Sequence, residues 1–359
     1  MSSVSELLIS LRTLQSSGHS VYLDGLFASQ RYHSYLPYLR EDDNLFFSAT
    51  IAYTLQSHLS LMSKNEQVLS IEIVNSVIGL FPHFRNKDGK PTYNFWQTDP
   101  SNHFPNGMFM KRFEHFRIPD DADDTALVFL LQDHISSDRK KLSELLRNHA
   151  NLGKKTIKNT WPEFKGLNAI STFFGEKMRI EFDAVVMCNV LLILFRDGEE
   201  GAIKEDSIQY ISKALEADYH MTEPFYMSSN YPEPELIIYH VSRLLYSYPD
   251  CSLKKHKSKL IRQLEILINR SLPPLNELVA RNALLLLGNS SEPNHSLLDN
   301  VRNDSKGYFF HAGMLSSFEN SIAQKWSSTS LFHLRFRCLG LNLALLVEHE
   351  LLKRKKPNV

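Results

Sequence analysis

The 359-residue chain carries 40 Lys plus Arg against 40 Asp plus Glu, so no net charge draws it to nucleic acid or to an anionic membrane surface. Its 43% apolar and 22% charged content is that of a globular chain able to bury a sizeable core, which excludes wholesale disorder. Cys188, Cys251 and Cys338 are scattered, make no disulfide framework or zinc spacing, and point to buried thiols in a reducing, cytoplasmic setting.

In chain order, helix-like segments of two kinds alternate. Residues 4–14, 65–80, 138–152, 204–217, 254–269 and 294–301 are amphipathic and charge-rich, whereas 44–55, 124–132, 183–195, 235–246, 275–287 and 329–346 are apolar nearly all round. The first kind should cover the outside and the second should be inside. The pattern predicts one all-α domain over residues 1–359, a single α/α toroid of about six inner/outer helix pairs closed by packing 4–14 against 329–346. An open solenoid of helix pairs shows the same alternation; the apparent closure and the unequal repeat length favour the ring.

The first segment has neither a basic leader nor an uninterrupted apolar run, so no secretory signal is expected. The longest apolar run, 184–195, is interrupted by Asn189 and too short for a bilayer, so no transmembrane segment is expected. The basic run Lys254, Lys255, His256, Lys257 and Lys259 lies on an amphipathic stretch and reads as a solvated face, which leaves no nucleic-acid partner.

Connections from outer to inner helices are long: 81–123, 153–182, 218–234 and 303–328. In a ring with parallel inner helices they converge on one mouth, and they bring aromatic residues there, among them Trp96, Phe113, Phe116, Tyr231, Tyr308 and Phe309. These rings either line a pocket or form small cores under the loops.

Pro119-Asp120-Asp121-Ala122-Asp123-Asp124-Thr125-Ala126 opens the second inner helix and puts four carboxylates within five positions. Like-charge repulsion and burial should raise at least one of their pKa values, leaving a carboxylic acid able to donate a proton. The related Asp43-x4-Ser48-Ala49 opens the first inner helix, so part of the pattern is helix capping repeated by the architecture. Capping does not readily account for Asp121, Asp123 and Asp124 together.

Asp121-Ala122-Asp123-Asp124-Thr125-Ala126 resembles the DxDD motif, with its Thr-Ala continuation, of class II terpenoid cyclases. The resemblance implies an α/α barrel in which Asp123 protonates an alkene or epoxide while Asp121 and Asp124 hold its geometry and acidity. It further implies a small hydrophobic isoprenoid-like substrate, an aromatic pocket that stabilises cations, and no required cofactor, with Mg2+ possible for a diphosphate substrate. Three departures stand beside it. There are no QxxxGxW repeats. One barrel replaces two, so a second wall must come from the chain's own loops or from another subunit, as in a homodimer. The related protein prenyltransferase subunit is a single barrel, but its Asp, Cys and His zinc set has no counterpart here, and no metal ligand is assigned.

Asn189 either faces the central cavity or bonds a neighbouring turn. Tyr239, His240 and Arg243 form a polar strip on the fourth inner helix that, with Arg281, Arg335 or Arg337, would bind a diphosphate or carboxylate or else pair with acids between helices. His103, His115 and His311 sit in mouth loops as possible bases, without HxxH or HExxH spacing. No GxSxG, GxGxxG or P-loop occurs. Two other readings remain: a carbohydrate-active toroid with two carboxylates set apart across a groove, and a noncatalytic scaffold in which the acids are caps and Asp123 is exposed.

Overall fold

In the computed structural model, residues 3–16, 22–102, 117–176, 178–292, 295–304, 307–313 and 320–355 are described. The helices and strands follow in chain order as α1 (Val4–Leu14), β1 (Ser29–Tyr32), β2 (Leu39–Asp42), α2 (Leu45–Ser57), α3 (Lys64–Ile78), α4 (Phe81–Phe84), α5 (Ala122–Leu131) and α6 (Ser136–His149). They continue with α7 (Ala184–Arg196), α8 (Ala202–Glu216), α9 (Tyr219–Thr222), α10 (Pro224–Met227), α11 (Pro234–Ser247), α12 (Lys257–Asn269) and α13 (Pro274–Leu286). The last are α14 (His295–Arg302), β3 (Phe310–Gly313), α15 (Ser321–Ser327), β4 (His333–Arg337) and α16 (Leu339–Arg354).

The protein is mostly helical, and its apolar helices touch in a closed circuit: α2 packs on α5, α5 on α7, α7 on α11, α11 on α13, α13 on α16 and α16 on α2. The reason lies in the sequence of each helix. From Leu45 to Ala52 every residue of α2 is buried, and so is every residue of α7 from Ala184 to Leu194, so neither has a face that tolerates water. Amphipathic helices cover this circuit, α1 against α16 and α3, α8 against α7, α12 against α11 and α13, and α14 against α13 and α16. The contact of α1 with α16 brings the two ends of the chain together.

The all-α expectation is corrected by a four-stranded antiparallel sheet of order β2-β1-β4-β3. It joins residues 29–42 to 310–337, with Arg31 and Phe310 both opposite Phe336. The helix expected over 329–346 starts only at Leu339 and runs to Arg354. Its expected first turns are strand because His333-Leu334-Arg335-Phe336-Arg337 alternates, with Leu334 and Phe336 turned into the core and Arg335 and Arg337 toward the surface.

Among the described residues, Lys64–Phe84 is the one helical stretch whose length and composition would let it cross a membrane, which the sequence reading had not expected; 39% of its apolar 18-residue window is buried. It is weak evidence of a span. Glu66 in its first turn binds the Arg354 guanidinium at 2.7 and 2.9 Å, and the helix packs on α1 and α2. The thiols of Cys188, Cys251 and Cys338 are free and buried.

Candidate functional site

The acidic motif sits where α5 begins, and each of its carboxylates has a different task. Asp120 is turned away and held by Asn86 Nδ2 at 2.5 Å, Thr92 Oγ1 at 2.6 Å and Asn94 Nδ2 at 3.2 Å. Asp121 is the N-cap, its Oδ1 accepting from the Asp124 amide at 2.8 Å. Its main-chain oxygen accepts from Thr125 Oγ1 at 2.6 Å, and Thr125 Oγ1 accepts from the Tyr93 amide at 3.0 Å, which ties the loop over residues 92–96 to the helix start. The Thr of the motif is thus a clamp between loop and helix.

Asp123 is only 6% exposed and accepts at both oxygens, from Asn189 Nδ2 of α7 at 2.6 Å and from the Tyr231 hydroxyl at 2.5 Å. Capping therefore accounts for Asp121 and leaves Asp123 unexplained. Asp124 is deeper still, and its Oδ1 has no hydrogen-bond partner among the described residues.

Burial is the main force on all three acids and pushes each carboxyl up. Asp121 rises to about 7, its bond from the Asp124 amide opposing and Asp123 adding repulsion. Asp124 rises well above the ordinary carboxylate range, with Asp121 and Asp123 adding to the effect of burial. Asp123 also rises, but Tyr231, Asn189 and the Arg243 guanidinium pull it back. The arrangement holds at least one proton at neutral pH on the Asp121 and Asp124 pair, and at Asp123 the bonds from Tyr231 and Asn189 oppose a rise that burial imposes.

Asp121, Asp123 and Asp124 form one wall of a cavity of about 120 Å³ whose other walls are mostly aromatic. Phe46 comes from α2, Phe95 and Trp96 from the 92–96 loop, Phe310 from β3 and Phe336 from β4. These rings pack on one another: Phe310 stacks on Phe336 at 4.6 Å, Phe46 meets Phe310 edge-on at 4.8 Å, and Phe95 meets Phe336 edge-on at 5.6 Å. Trp96 is fixed by its indole N–H, which donates to Asp42 Oδ1 at 3.1 Å, and Asp42 is itself paired with the buried Arg31 at 3.5 Å. The sheet that the sequence reading did not expect is what closes the cavity.

The remaining expected residues are distributed otherwise. Tyr308 donates to Glu233 and lies under the Arg335 guanidinium, and Phe309 is buried behind Phe46 and Tyr231; neither lines the cavity. Tyr239 and Arg243 point to a second buried cluster. There Glu348 accepts from Tyr239 at 2.8 Å and Asn282 at 2.9 Å and meets His58 Nε2 at 3.1 Å. Arg243 lies over the rings of Tyr53 and Tyr239, and its Nη2 has no hydrogen-bond partner among the described residues. Of the two readings of this strip, pairing with acids between helices is seen at Tyr239, which donates to Glu348 of α16; Arg281 pairs with Glu277 at 2.7 Å and Arg337 donates to Gln30. Phe113, Phe116, His103 and His115 lie outside the described residues.

Tyr231 was read as one of the mouth aromatics but not as the partner of Asp123, and Phe46 and Phe336 as cavity walls escaped the sequence reading. Period-two alternation in 333–337 was the signal available for Phe336. Among the described residues, no three His, Cys, Asp or Glu side chains are grouped as a metal ion requires. No family model matches this chain, and no curated protein matches its sequence.

Proposed function

We propose that this chain is a terpenoid-cyclase-like enzyme built on a single α/α toroid, and that it starts the cyclisation of an isoprenoid by protonating an alkene from Asp123. The observation that carries the reading is a buried carboxyl, bonded at both oxygens by Asn189 and Tyr231, in the wall of an aromatic cavity. Proton donation moves the O–H proton of Asp123 to an alkene carbon. The alkene's electron pair forms the new C–H bond, a carbocation remains on the neighbouring carbon, and Asp123 becomes a carboxylate. Asn189 and Tyr231 stabilise that carboxylate more than they stabilise the acid, which lowers the barrier to giving up the proton. Phe46, Phe95, Trp96, Phe310 and Phe336 offer ring faces to the cation and no nucleophile that would quench it early.

A cavity of about 120 Å³ is small beside the roughly 300–1,000 Å³ of ordinary ligand sites. It fits the reacting end of an isoprenoid, and the remainder must extend through the mouth or displace side chains. No step requires a cofactor; Mg2+ enters only if the substrate is a diphosphate. The same cavity argues against the carbohydrate reading, because Asp121, Asp123 and Asp124 lie together on one wall rather than facing one another across a groove. A noncatalytic scaffold calls for an exposed Asp123, which is instead buried beside a cavity.

The test is product analysis after incubating the chain with farnesol, geranylgeraniol and squalene. Conversion of at least one to an isomeric cyclic olefin is expected, with Asp123→Asn slower by about 10²–10⁴-fold. No conversion of any of them, or equal conversion by Asp123→Asn, overturns the proposal.

A further inference from the structure

The cavity has a second polar group that the acid motif does not use. His311 on β3 lines it, is 1% exposed, and has no hydrogen-bond partner among the described residues at either Nδ1 or Nε2. The Ser229 main chain lies near the ring, outside hydrogen-bonding geometry but close enough to favour the charged form slightly. Buried imidazoles elsewhere in the same sheet region are satisfied: His333 Nε2 meets the Ser327 carbonyl at 2.6 Å, and His33 Nε2 meets the Leu331 carbonyl at 2.8 Å. Leaving both nitrogens of a buried imidazole bare is costly, and a group serving the fold alone would be expected to find a partner.

One face of the ring is held. His333 stacks on it at 3.8 Å with 15° between planes, and Phe225 lies nearly parallel beside the pair, 6.1 Å from His311 and 5.7 Å from His333. Stacking of this kind fixes the ring plane while leaving the nitrogens, which lie in that plane, unblocked. The His311 amide donates to the Asn230 carbonyl at 3.0 Å, so the strand is fastened to the loop whose next residue, Tyr231, bonds Asp123. Acid wall and imidazole are parts of one framework.

We propose that His311 ends the reaction by removing a proton from the final carbocation, an inference that rests on the acid-initiated reading. The C–H bond next to the cationic carbon breaks, its electron pair becomes a C=C bond, and the proton goes to a lone pair of the imidazole. The imidazolium releases this proton to solvent and Asp123 regains one, so no proton is consumed and product and substrate are isomers. Burial, helped by His333 and Arg335, pushes the imidazole's pKa well down, which keeps the ring neutral and its lone pair available. Weak basicity is no obstacle, since a C–H bond beside a carbocation is far more acidic than an imidazolium.

The experiment compares full-length wild type, His311→Gln, His311→Phe and Asp123→Asn on farnesol, geranylgeraniol and squalene, with products identified by mass spectrometry and folding checked by circular dichroism. Expected is continued substrate consumption by the His311 variants, with the wild-type olefin falling at least about tenfold in favour of a water-captured alcohol or an olefin with a displaced double bond. If folded His311→Gln makes the wild-type olefin in the wild-type share, the assignment is overturned while the acid-initiated reading stands. If wild type consumes none of the three, both fall. His311→Gln retains size and polarity, so the comparison survives a misfolded His311→Phe.

Discussion

Tyr231 donates its hydroxyl to Asp123 Oδ2 at 2.5 Å, joining residues 108 positions apart, while Asn189 Nδ2 holds the other oxygen at 2.6 Å. An acid held at both oxygens cannot rotate freely, and its conjugate base is solvated by two fixed donors rather than by water. Removing either donor should therefore weaken acid strength before it weakens the fold.

Tyr231→Phe is expected to lower kcat by about 10²-fold, with KM changed far less, because the lost bond is made most strongly to the anion formed on proton transfer. Leaving one buried oxygen unpaired should cost about 1–3 kcal/mol, read as a drop in the midpoint of urea unfolding. An unchanged kcat in a folded Tyr231→Phe protein would remove Tyr231 from the chemistry.

The pH profile should fall on the alkaline side. Burial lifts Asp121 to about 7 and Asp124 further, so Asp121 is protonated below neutrality and loses its proton as pH rises through about 7, while Asp124 keeps its own. Once that charge appears, Asp123 is pushed up by its neighbours and becomes a poorer donor. Turnover measured from pH 5 to 9 is expected to decline through about 7, and a flat profile over that range would contradict the assignment.

Glu235 offers a test that needs no substrate. It is buried, its Oε1 accepts from Asn276, its Oε2 has no partner among the described residues, and burial lifts its carboxyl from 4.5 to about 7. Between those values the folded state binds the proton that the unfolded state has lost, so stability is full below about 4.5 and declines as pH rises through about 7. The decline approaches about 3 kcal/mol, at 1.36 kcal/mol per unit. His240, lowered to about 3, and His349, lowered to about 4, slope oppositely at lower pH, so the clean quantity is a difference. Glu235→Gln should match wild type near pH 5 and exceed it near pH 9 in chemical unfolding.

Glu348 should show the opposite sign. Burial pushes its carboxyl up, but His58, Arg243 and Tyr239 together outweigh that and leave it below its ordinary value. Its contribution is present above about 4.5 and is lost as pH falls through the folded-state value. Glu348→Gln places an amide hydrogen against donors and should cost roughly 1–3 kcal/mol at pH 7. That deficit should shrink as unfolding is measured below pH 4.5.

Much of the helical framework was legible in the sequence because periodicity is local. A helix apolar all round has to be inside and one with a charged face has to be outside, which is why residues 183–195 and 204–217 were assigned to the right layers. The acid motif was legible for the same reason, since four carboxylates at a helix start repel wherever that helix goes. The strands were not, because a five-residue alternation such as His333–Arg337 is short and adjoins a long helical pattern, and pairing with residues 29–32 some 300 positions away is what makes it a strand.

The sequence by itself determined the alternation of buried and covering helices and the presence of crowded acids at one helix N-terminus. Only the tertiary structure decided which acid caps, which is solvated by Asn189 and Tyr231, and which aromatic rings face them. Those outcomes depend on side chains from α2, α5, α7 and the sheet meeting at one point, and burial, which sets the pKa values, belongs to that meeting and to no single segment.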